Sequence, residues 1–147
     1  MKLSTRSRYG LRAMLVLAMY QNDEPIMTKE IAEKQNLPAT YLEQLMLALR
    51  KSGLVIATRG AKGGYVLAKN PDEISLAEIV EALEGPIDIA DCTDVPNCCV
   101  EPKSCALKEI FEEANNALYS VFDKKNLAQL AETQLSMECN QSQMYYI

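Results

Sequence analysis

The 147 residues, 48% of them hydrophobic, suffice for one ordinary domain or for a small domain with an appended arm. The net charge of −5 conceals a division, because residues 1–69 hold 11 Lys/Arg against 5 Asp/Glu (+6) and residues 70–147 hold 4 against 15 (−11). A basic front half suits phosphate and an acidic rear half is repelled by it; with no histidine and no recognisable catalytic constellation, the composition argues against an enzyme.

The opening residues Met1 to Arg6 are basic, but Arg12 interrupts the apolar run that follows, and Met14 to Tyr20 is too short to cross a membrane. A cytoplasmic protein with reduced thiols and no membrane association is therefore expected. Residues of about 5–21 form an amphipathic helix, with Tyr9, Ala13, Val16, Leu17 and Tyr20 at helical spacing and Arg6, Arg8 and Arg12 near its start. Cations there oppose the helix dipole, a placement that a bound phosphate would compensate.

Thr28 can cap a short helix over 29–35 that Asn36-Leu37-Pro38 breaks. A second helix follows over about 39–52, with Tyr41, Leu42, Leu45, Met46 and Leu49 as its apolar set and Gly53 placed to end it. Two helices joined by so short a turn describe a helix-turn-helix. Residues 54–57 and 65–68 read as strands around a glycine-rich tip, Thr58-Arg59-Gly60-Ala61-Lys62-Gly63-Gly64, which carries Arg59 and Lys62. The layout is a winged helix.

Ser75-Leu76-Ala77-Glu78 is a capping box, and its helix runs to about 84 before Gly85-Pro86. Residues 86–105 form a cysteine-rich loop. A long helix over about 105–123 lines up Leu107, Ile110, Phe111, Ala114, Leu118, Val121 and Phe122. With little core of its own to cover, it is expected to pack against a second copy of the chain. A shorter helix covers about 126–137, and the aperiodic residues 138–147 read as a flexible tail. The expected class is mainly α with a small β-hairpin wing. Residues 1–85 make the DNA-binding domain, 86–105 the cysteine loop and 106–137 the dimerisation helices.

Four of the five cysteines, Cys92, Cys98, Cys99 and Cys105, lie within fourteen residues, and Cys139 stands apart. Either Cys92, Cys99 and Cys105 or Cys92, Cys98 and Cys105 make a three-cysteine set with gaps of five and six residues, and spacing leaves both open. Thiolates suit iron–sulfur clusters and zinc alike. Zinc sites usually carry short Cys-x-x-Cys pairs, which are missing here, so a cluster is the leading reading and zinc the minority one.

Tyr41-Leu42-Glu43-Gln44-Leu45-Met46, Leu49-Arg50-Lys51-Ser52-Gly53-Leu54-Val55 and Arg59-Gly60-Ala61-Lys62-Gly63-Gly64-Tyr65 closely resemble the IscR-type winged-helix transcriptional regulators, whose relatives include CymR and NsrR. The resemblance extends from residue 1 to about 137. It implies a homodimer on double-stranded operator DNA. Thr40, Glu43 and Gln44, beside Tyr41, would read base edges in the major groove, and Arg59 would enter the minor groove. Arg6, Arg8, Arg50, Lys51 and Lys62 would contact phosphates. Their chemistry agrees, since Gln pairs with adenine, Glu accepts from cytosine and Arg suits a narrow minor groove.

The resemblance also favours Cys92, Cys99 and Cys105 as ligands, with Cys98 as an alternative or fourth. It implies a [2Fe-2S] cluster, [4Fe-4S] being the alternative, and control of cluster-assembly genes. The chain departs from the pattern at the fourth ligand: Lys108 stands where IscR has histidine and Arg8 where NsrR has aspartate. Cys98, Glu109, Asp91, Asp94, a partner carboxylate or an exogenous ligand remain. Two other functions fit the same resemblance: a cluster-free, CymR-like repressor of sulfur metabolism controlled by a partner protein, and a nitric oxide sensor.

Overall fold

The computed structural model describes residues 3–20, 24–60, 62–90 and 105–144, with side chains to 140. Among these residues six α-helices and one hairpin follow in the order α1 (Thr5–Met19), α2 (Thr28–Gln35), α3 (Ala39–Lys51), β1 (Val55–Thr58), β2 (Gly64–Leu67), a short 3-10 turn (Pro71–Glu73), α4 (Leu76–Glu84), α5 (Ala106–Asp123) and α6 (Leu127–Met144).

Helix α1 is the centre of the fold. Ala13, Met14, Leu15, Val16 and Leu17 are all buried, so its second half is apolar nearly all round and packs against α2, α3, α4 and α6. Tyr20, expected on the inner stripe, is exposed and carries the Lys34 ammonium 3.8 Å from its ring centroid. Gly10 is where α4 approaches, since a Cβ there would run into Leu83.

The helix-turn-helix forms as the sequence indicates. Asn36 adopts a left-handed conformation (φ 50°), and the Leu37 N–H then bonds the Ala32 carbonyl at 2.9 Å, dropping Leu37 into the core. Met27 rather than Thr28 precedes the first turn of α2, and the Glu30 carboxylate accepts the Met27 N–H at 3.2 Å. In α3, Leu42, Leu45, Met46 and Leu49 are buried at helical spacing. Gly53 (φ 72°) ends it, with the Leu54 N–H on the Leu49 carbonyl. Leu45→Ala removes a fully buried side chain and is expected to cost about 2–5 kcal/mol. Urea unfolding measures it, and a loss below about 1 kcal/mol would contradict this core.

The hairpin pairs Val55 with Leu67 through to Thr58 with Gly64. Ile26 joins as a single third rung, exchanging two backbone hydrogen bonds with Tyr65 at 2.9 and 3.0 Å. Gly64 permits this approach, because a Cβ there would meet the Ile26 carbonyl.

The capping box opens α4: the Ser75 hydroxyl accepts the Glu78 N–H (3.2 Å), and the Glu78 carboxylate accepts the Ser75 N–H (2.9 Å). A backbone bridge, Leu127 N–H to the Ile74 carbonyl and Leu76 N–H to the Lys125 carbonyl, ties the start of α6 to the start of α4. Helix α6 then returns to α1 through Leu127, Leu130 and Ala131.

The structure corrects the expectation of a flexible tail from 138. Helix α6 continues to Met144, and residues 145–147 lie outside the described residues. Loss of apolar periodicity removes a packing face, not helicity. Between 127 and 144 stands neither Pro nor Gly, and the Gln134 amide donates to the Glu138 carboxylate one turn on at 3.0 Å.

Candidate nucleic-acid interface and cysteine segment

Burial of Leu42, Leu45, Met46 and Leu49 turns the other side of α3 outward, leaving Thr40, Glu43, Gln44, Leu47, Arg50 and Lys51 exposed. Gln44 and Lys51 share a cleft of about 400 Å³ with Arg6 from α1, floored by Leu47, Ala48 and Ala82. Two cations and an amide from two helices thus converge on one surface. Leu47, off the apolar stripe and half exposed, is the one large apolar side chain on this face of α3. Its position outside the 42–45–46–49 stripe was the available signal.

Tyr41 is placed differently from its neighbours. Its ring is partly buried and meets Tyr9 edge-on, centroids 5.9 Å apart. Arg12, grouped in the sequence with Arg6 and Arg8, is used internally: its guanidinium donates to the Gln35 side chain (2.8 Å) and the Gln35 carbonyl (2.7 Å), closing the end of α2. Arg8 remains exposed and donates to the Thr5 hydroxyl at 3.2 Å.

Arg59 and Lys62 occupy the wing tip, both exposed. Gly60 (φ 118°) and the Gly63 N–H to Gly60 carbonyl bond (2.9 Å) shape that tip. A Cβ on Gly63 would lie 2.6 Å from the Thr58 carbonyl, so the turn tolerates only glycine there.

Lys69 and Glu78 brace the far end of the wing by an ion pair at 2.9 Å. Burial pushes the Glu78 carboxyl up, but the Lys69 ammonium and the Ser75 N–H outweigh it and hold the group below its ordinary value. A carboxylate depressed on folding adds stability above its unfolded value and loses it as pH falls through the folded one. Glu78→Gln is therefore expected to lower stability at about pH 7 and to show a shallower acid loss down to about pH 3.5. Urea unfolding at both values checks this, and parallel losses in variant and wild type would contradict it.

Of the cysteines, Cys92, Cys98 and Cys99 lie outside the described residues, as do Asp91 and Asp94. Cys105 is a free, half-exposed thiol that immediately precedes α5. Glu109 is exposed in the same first turn, whereas Lys108 pairs with Glu112 at 3.6 Å. Cys139 is exposed on α6. Among the described residues no helix is long and apolar enough to cross a membrane.

A helix-turn-helix with a basic, glycine-tipped wing and a cysteine segment behind it defines a winged-helix DNA-binding regulator. The Rrf2 profile, described as an iron-dependent transcriptional regulator, matches residues 3–133, and the chain belongs to that family. It is 39% identical to protein rrf2 of Nitratidesulfovibrio vulgaris strain Hildenborough over 88% of this chain and 87% of that one. It is 41% identical to the transcriptional regulator CymR of Bacillus subtilis over 89% and 90%. Against IscR of Aliivibrio salmonicida it is 33% identical over 88% and 77%. Among solved structures, T. potens IscR superposes with a TM-score of 0.78 at 35% identity, covering 99% of this chain and 97% of that one. CymR, the global cysteine regulator of B. subtilis, gives 0.76 at 39%, covering 90% and 98%. The protein is thus a DNA-binding transcriptional regulator, and its relatives are regulators rather than enzymes.

Proposed function

We propose that this regulator is a cytoplasmic homodimer that senses iron–sulfur status and controls cluster-assembly genes. The observation that carries its DNA-binding surface is the convergence of Gln44, Arg6 and Lys51 on one cleft beside exposed Thr40 and Glu43. Gln44 and Glu43 read bases, while Arg6, Arg8, Arg50, Lys51 and Lys62 hold phosphates and set register. Tyr41 acts from its seat on Tyr9. Arg59 enters the minor groove.

The sensing end fits a cluster on the chemistry of its donors. Cys105 is a free thiol at a helix N-terminus, and Cys92 and Cys99 supply the other two ligands, with Cys98 or Glu109 as the fourth. When bound, a [2Fe-2S] group supplies iron–thiolate bonds that tie residues 92, 99 and 105 together. The chain's own part is mechanical. Cys105 immediately precedes α5, while Ile87, near the other end of the segment, is buried with Ala77 and Val80 of α4 against Leu118 and Phe122 of α5. Holding 92 to 105 therefore fixes how α5 lies on α4, and operator affinity follows by population shift. The test compares operator affinity of the apo and cluster-loaded protein. Equal affinity on every operator selected by either form removes the sensor reading. The identity to CymR favours a second reading, a cluster-free repressor controlled by a partner protein.

A further inference from the structure

Helix α1 begins against its own dipole. Its first turn holds Arg6 and Arg8 at its edge and no acidic residue. The missing carboxylate comes from eighty residues away: Glu84, the last residue of α4, accepts the Ser4 N–H at 2.9 Å. Ser4 in turn caps α1 by accepting the Ser7 N–H at 3.2 Å. Leu3, next to this clamp, packs on the small cluster of Ala77, Val80 and Ile87. The segment leading into the two arginines is therefore fixed at one polar and one apolar point, both on or beside α4.

We propose that Glu84 is a positioning residue for DNA binding, holding the first turn of α1 so that Arg6 and Arg8 meet the phosphate backbone. This rests on the phosphate role assigned above to those arginines. Glu84 is exposed, and a carboxylate near a phosphate is itself repulsive. Its carboxylate also lies in the field of Arg6, where it competes with phosphate for the guanidinium, so its value to binding is the acceptor oxygen and not the charge. An amide keeps that oxygen and an alanine does not.

The test measures binding of the full-length protein to a mixed-sequence duplex across a salt series, by fluorescence anisotropy. Every phosphate that the protein no longer neutralises lowers the slope of log K against log salt by about 0.9. Glu84→Ala is expected to lower it by roughly 2–4 for the dimer, whose two protomers carry four such arginines, as Arg6→Ala/Arg8→Ala does, and to add nothing further in that double-arginine background. Glu84→Gln is expected to retain the wild-type slope and to bind at least as tightly. A stability role alone would lower the unfolding midpoint of Glu84→Ala and leave the slope untouched, and that result overturns the proposal. Should Glu84→Ala fail to fold, Ser4→Pro against Ser4→Ala isolates the same N–H, since Ser4 sits at φ −65° where proline fits. Equal slopes for that pair also overturn it. If the arginine double variant itself keeps the wild-type slope, the phosphate role of Arg6 and Arg8 fails, and this inference with it.

Discussion

Ile110→Asp is expected to sediment as a monomer and to bind operator roughly a hundredfold more weakly, the loss that follows when two linked half-sites are reduced to one. Within the chain α5 buries no residue fully. Leu118 and Phe122 lean on α4, while Leu107, Ile110 and Val121, on the neighbouring face, remain 56%, 58% and 65% exposed. These three, with Ala114, recur at i, i+3, i+7 and i+14, one continuous apolar stripe. In the proposed homodimer an isologous pair of α5 helices would cover this stripe while placing two wings on adjacent half-sites. Because Ile110 is 58% exposed and, among the described residues, belongs to neither buried cluster, the variant should unfold near the wild-type midpoint once dimer linkage is allowed for. Analytical ultracentrifugation decides the case. A variant that stays dimeric would place the interface elsewhere.

Arg59→Ala is expected to weaken operator binding roughly ten- to a hundredfold, equivalent to about 1–3 kcal/mol, with an unchanged unfolding transition. Arg59 is exposed at the wing tip and lies outside the paired residues of the hairpin, so its removal leaves the hairpin register and the Ile26 rung in place. An arginine presented on a glycine turn suits a narrow, electronegative minor groove, where the effect depends on the sequence of the site. Lys62, on the same tip, should behave differently: Lys62→Ala weakens all duplexes alike and lowers the salt slope of the dimer by about 1.8, the share of one phosphate per protomer. Gel shifts on an operator selected from a random library, beside a scrambled duplex, separate the two. Undiminished affinity of Arg59→Ala at physiological salt would remove the wing from the interface.

What was legible in the sequence was what local physics determines. The 42–45–46–49 stripe, the Gly53 terminator, the Ser75–Glu78 box and the glycine-tipped hairpin each follow from interactions within a few residues, and each stands where the sequence puts it, within one or two residues. What was hidden depends on partners far along the chain. Nothing local tells that Arg12 closes α2 through Gln35, that Glu84 holds Ser4, or that Ile26 supplies a third rung to the wing. The helical continuation of α6 past 137 was hidden for another reason: the signal is apolar periodicity, and the sequence past 137 carries none. In the cysteine segment only Cys105 lies among the described residues, so the choice between Cys98 and Cys99 rests on spacing and resemblance.

The most direct test of the sensor account is iron, sulfide and zinc analysis of an anaerobic preparation, read beside its visible absorption. Iron and inorganic sulfide are expected in equal amounts, in the proportion of one [2Fe-2S] cluster per chain, with sulfur-to-iron charge-transfer bands lost in Cys92→Ala and Cys105→Ala. Zinc without sulfide, or no metal in a preparation kept free of oxygen throughout, would contradict it and leave a repressor of the cluster-free kind.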